Sequence, residues 1–64
     1  MTQKELLYLE DAVGHEKNLI SICEESINML ESDELISFFE QEKSIHEKLL
    51  DELIGALEDK SNEW

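Results

Sequence analysis

The chain has 64 residues, with seventeen acidic side chains against five basic ones and a net charge of −12. Such a charge repels nucleic acid and anionic membranes, so neither is expected as a partner; a basic protein, for which the chain would act as an acidic decoy of DNA, is compatible with it. At this length a domain buries only about 60% of its unfolded surface, and small scaffolds draw extra stability from disulfides, a metal or a partner chain.

One domain spanning 1–64 is expected. Cys23 is the only cysteine, which excludes an internal disulfide and suits a reducing compartment. The opening "MTQKELLYLED" lacks the long apolar run of a signal peptide, and no stretch approaches a membrane span. A cytoplasmic location is the expectation.

The first element is read from the apolar series Leu6, Leu9, Val13, Ile20, Cys23, Ile27 and Leu30. The gaps alternate three and four, the mark of a sustained helical stripe, with one missing step filled by Glu16. Lys17, Glu24, Glu25, Asn28 and Glu31 fall on the opposite face. This predicts helix one over about 3–31. The stretch "ESDEL" then offers Ser32 or Asp33 as a cap, with Asp33 and Glu34 favourable at the positive end of a second helix. A connection this short makes the two helices antiparallel neighbours.

Helix two is predicted over about 33–59, with "KSNEW" fraying. Its stripe is Leu35, Phe39, Leu49, Leu53 and Leu57, widened by Phe38, Ile45, Leu50 and Ile54. In "FFEQEKSIHEKLL" the missing steps are taken by Glu42 and His46. A two-helix hairpin cannot enclose a stripe so wide. The fold expected is therefore all-α, an antiparallel two-helix hairpin that pairs as a homodimer into a four-helix bundle.

Glu16, Glu42 and His46 are the candidate site. If residue 31 pairs with 34, position 16 lies opposite about position 49, within one turn of His46. Two-fold pairing doubles the set to four carboxylates and two imidazoles. That is the ligand set of ferritin-like di-iron and di-manganese proteins, so iron or manganese is the metal expected, and zinc could also bind. Alternatively the carboxylates hold His46 directly and no metal is involved. His46→Leu would stabilise the empty protein in the first case and destabilise it in the second. His15 is read as a flank residue and Cys23 as a small apolar group.

The pieces "DAVGHEKNLI" and "SDELISFF" together with His46 resemble the short ferritin-like domain of bacterial spore coat F-type proteins, over most of residues 9–57. The resemblance implies a ferritin-like bundle, with Glu16 matching the helix-one glutamate and His46 the helix-two histidine. The family's glutamate three before the histidine is Lys43 here, although Glu42, four before, shares a face with His46. The alternative function is a metal-free structural or protein-interaction module of coat type. No nucleophile–base pair, phosphate-cradling glycine loop or spaced cysteine–histidine pattern points to an enzyme.

Overall fold

The structure, a computed structural model, describes residues 1–61 and the side chains of residues 1–59. Two helices account for nearly all of them: α1, Gln3–Met29, and α2, Asp33–Ser61. Helix α1 starts at Thr2, whose hydroxyl accepts from the Glu5 amide at 3.1 Å while the Glu5 carboxylate accepts from the Thr2 amide at 2.9 Å. This reciprocal pair satisfies two of the amides that a helix start leaves without partners. At the other end Leu30 turns extended, at φ −82° and ψ 148°, and its amide still reaches the Ser26 carbonyl at 3.0 Å. Ser32 then caps α2, its hydroxyl accepting from the Leu35 amide at 3.3 Å. Asp33 and Glu34 occupy the first turn, where the helix dipole favours negative charge. Of the two expected caps, Ser32 is the one used.

Helix α1 thus ends two residues short of the expected boundary, and α2 runs two residues beyond it. The rest of the segment expected to fray, 62–64, lies outside the described residues.

The molecule measures 49 × 15 × 11 Å, a rod two helices wide. The less exposed positions 6, 9, 13, 16, 20, 23 and 27 of α1, with Leu30 just past its end, form the seam against α2, as the alternating spacing requires. On α2 the seam is 36, 39, 43, 46, 50, 53 and 57. Part of this departs from expectation. Ile36 takes the place foreseen for Leu35, and Leu50 that of Leu49, while Leu35 and Leu49 stay 48% and 39% exposed. The cause is that α2 carries two adjacent apolar lines, one residue out of step, and only one can face α1. Among the described residues Cys23 alone is buried, at 6% exposure, and no side chain is fully enclosed.

The second apolar line has a partner on α1. Stepping back one residue from each seam position rotates the view by about 100° on both helices. Because the helices run in opposite directions, those two rotations lead to the same side of the hairpin. The side so defined carries Tyr8, Leu19, Ile22 and Met29 from α1, and Leu35, Phe38, Ile45 and Leu49 from α2. These are eight of the nine large hydrophobic residues left exposed among the described residues, Leu7 being the ninth, and Glu5, His15, Glu42 and Glu52 are interspersed with them on the same side. Stepping forward one residue instead leads to Glu10, Lys17, Glu24, Glu31, Glu40, Glu47 and Asp51. The hairpin is therefore amphipathic as a unit, with one apolar and one acidic face.

Candidate functional site

Halfway along the rod the seam changes character. Residue 16 is the midpoint of α1, and residue 47 that of α2. At this level Glu16 meets His46, the Glu16 Oε2 lying 2.5 Å from Nδ1 of the ring. A carboxylate oxygen accepts, so the hydrogen bond at this contact is one donated by Nδ1–H of the ring. On the other side of the ring, Nε2 lies 3.7 Å from Oε2 of Glu42, one helical turn earlier on α2.

The two residues of the inner pair are shielded, with side chains 17% and 20% exposed, and Glu42 is more open at 36%. A polar group withdrawn this far from water is costly unless it is bonded, and here each member has a partner. No buried side-chain nitrogen or oxygen is left without one among the described residues.

The three residues expected to converge therefore do so, but in a particular order. His46 is the middle member, holding Glu16 with one nitrogen and facing Glu42 with the other. Position 16 sits opposite 46 rather than 49, three residues from the register that a 31–34 pairing implies. The extended conformation at Leu30 starts the connection earlier and draws the register in. The carboxylates lie on opposite edges of the ring, so the three side chains do not surround a common point. Among the described residues no group of three or more histidine, cysteine, aspartate or glutamate side chains is placed to hold a metal ion.

The remaining features are local. His15 is exposed, on the apolar face next to Glu16. Cys23 is a buried free thiol, packing as the small apolar group expected of it. Lys4 lies with its ammonium 5.9 Å from the centre of the Tyr8 ring. At the terminal end of the apolar face a cleft of about 480 Å³ opens between the helices, lined by Met1, Glu5, Tyr8, Leu9 and Ala56. Sequence reasoning missed this cleft, although Ala56 in an otherwise bulky line was the signal for it. No described helix is long and apolar enough to cross a membrane.

Comparison with known proteins finds no matching family model, no matching curated protein and no matching solved structure.

Proposed function

We propose that the chain is a protein-interaction module that acts as a homodimer, two hairpins closing their apolar faces into a four-helix bundle. The observation that carries this reading is the gathering of eight exposed large hydrophobic residues on one side. Scattered apolar residues on a surface need no explanation, but eight gathered on one side, with His15, Glu42 and Glu52 among them, mark an interface. The area supports it as well. The chain exposes 4958 Å², whereas a compact monomer of 7.5 kDa would expose about 4,250 Å². The excess, about 700 Å², reflects the rod shape, and a second hairpin laid along the apolar face would reduce it.

In this reading Glu16, His46 and Glu42 serve as a polar clamp that fixes the register of the two helices without a metal. A slide of one turn would separate His46 from Glu16 and leave both unbonded inside the seam, whereas purely apolar seams tolerate slippage. The acidic face opposite is then the outer surface of the dimer, suited to a basic protein partner in a coat-type assembly or as a DNA-like decoy.

Light scattering tests the assembly: about 15 kDa is expected, twice the 7.5 kDa chain. A stable helical monomer at micromolar concentration would overturn it.

One observation favours a second reading, a metal site completed by dimerisation. A histidine that ligates a metal usually donates its other ring N–H to a carboxylate. Glu16 holds Nδ1 in that manner, leaving Nε2 toward Glu42. Glu42 and His46 of two chains would then be the iron or manganese ligands, with Glu16 orienting the ring from behind. Metal analysis and melting with added ferrous iron or manganese separate the two readings. A rise in melting temperature that His46→Leu abolishes supports the metal, and an unchanged melting curve removes it.

A further inference from the structure

Two features of the apolar face remain unexplained by dimerisation alone: a protruding ring at one end and a cleft at the other. Phe38 is 51% exposed although its ring stands edge-on against Phe39, with centroids 5.3 Å apart and planes at 83°. It is thus an apolar knob held in position rather than a loose side chain. The cleft of about 480 Å³ lies at the far end of the same face, since Glu5, Tyr8 and Ala56 of its lining fall on the line one residue before the seam. Residue 47 is the midpoint of α2, with Phe38 nine residues before it and Ala56 nine residues after. A two-fold axis through that midpoint and across the helices brings each Phe38 level with Ala56 of the other copy.

We propose that the two hairpins pair head to tail, their turns at opposite ends, with Phe38 of each copy seated in the cleft beside Ala56 of the other. The proposal rests on the dimer reading above and adds its orientation. Charge favours the same arrangement. Residues 17–46, on the turn side of the two helix midpoints, carry seven acidic residues and two lysines, a net charge of −5. The rest of the chain carries ten acidic residues and three lysines, a net charge of −7. Pairing turn beside turn would stack the two open halves, −7 on −7. Head-to-tail pairing sets −7 against −5 at each end, a small electrostatic gain. It also moves the two turns apart by far more than the roughly 8 Å over which charges act at physiological salt.

The test places a spin label at Met29→Cys in a Cys23→Ala background, with helicity and mass checked first, and measures the label-to-label distance in the dimer. Met29 is thirteen residues from the midpoint of α1, so head-to-tail pairing puts the labels about 40 Å apart. Turn-beside-turn pairing puts them under about 20 Å apart, and that result overturns the proposal while leaving the dimer standing. A monomeric wild-type chain overturns the dimer reading itself.

A second measurement needs no cysteine. Phe38→Ala should weaken the dimer at least about tenfold in sedimentation, the effect expected of a buried aromatic anchor. Leu7→Ala, off the apolar face, should leave it unchanged. Ala56→Trp fills the cleft and should weaken the dimer too. Combining it with Phe38→Ala should restore binding, since the indole then occupies the space the phenyl ring vacates. If the double variant is no stronger than Ala56→Trp alone, Phe38 does not sit in the cleft.

Discussion

Removing the imidazole of His46 leaves the Glu16 carboxylate, 17% exposed, without its hydrogen-bond partner. A shielded charged group left unbonded costs roughly 1–3 kcal/mol, so His46→Leu should lower stability by about that amount despite adding apolar surface. The double variant Glu16→Leu, His46→Leu removes both polar groups and should regain most of the loss, because replacing both members of such a pair with apolar side chains is often close to neutral. Denaturant melts of the two variants measure this directly. A more stable single variant would mean that Glu16 and His46 are not bonded in the folded protein. At this scale the sequence was legible in part. Three polar residues in an apolar stripe announced a shared level, and they share it. Which nitrogen faces which carboxylate was not legible, because spacing along a helix fixes where Cβ points and not how a ring turns.

Each helix depends on terminal devices that are readable from its first few residues. Thr2 with Glu5 and Ser32 before Asp33 are short local patterns, and both caps form. Thr2→Ala should cost about 1 kcal/mol and loosen the first turn of α1, seen as faster amide exchange there. The helix interiors contain two weak points, Gly14 and Gly55. A Cβ built at either meets nothing within 4 Å, so no packing constraint requires glycine. Gly14→Ala and Gly55→Ala should each stabilise the protein by roughly 0.5–1 kcal/mol in thermal melts, from helix propensity alone. A loss of stability at either position would point to a close neighbour contributed by another chain. The line of α2 that faces α1 was less legible than the caps. Leu35, Phe38, Ile45 and Leu49 alternate as well as Ile36, Phe39, His46 and Leu50 do, and a hairpin needs only one line. The surplus line is the clue to assembly. Periodicity shows that both exist, while the choice between them follows from how α1 packs, and the line that faces α1 is the one whose His46 meets Glu16.

For the whole molecule the opposing effects are apolar burial and self-repulsion, and their dependence on salt tells them apart. Two chains of −12 that associate through an apolar face bring their acidic surfaces together, which costs energy at low ionic strength. Raising salt from about 0.01 M to 0.15 M shortens the screening length from about 30 Å to about 8 Å, reducing that cost while barely affecting apolar contacts. The dissociation constant of the dimer should therefore fall as salt rises, and the melting temperature should rise with protein concentration at every salt level. A basic protein bound to the acidic face should behave in the opposite sense, since salt screens an attraction there. Sedimentation equilibrium across that salt range, with and without such a partner, reads both slopes. If added salt dissolves the homodimer, opposite charges rather than the line from Leu35 to Leu49 hold the two copies together. The apolar face would then have to be assigned to a different occupant.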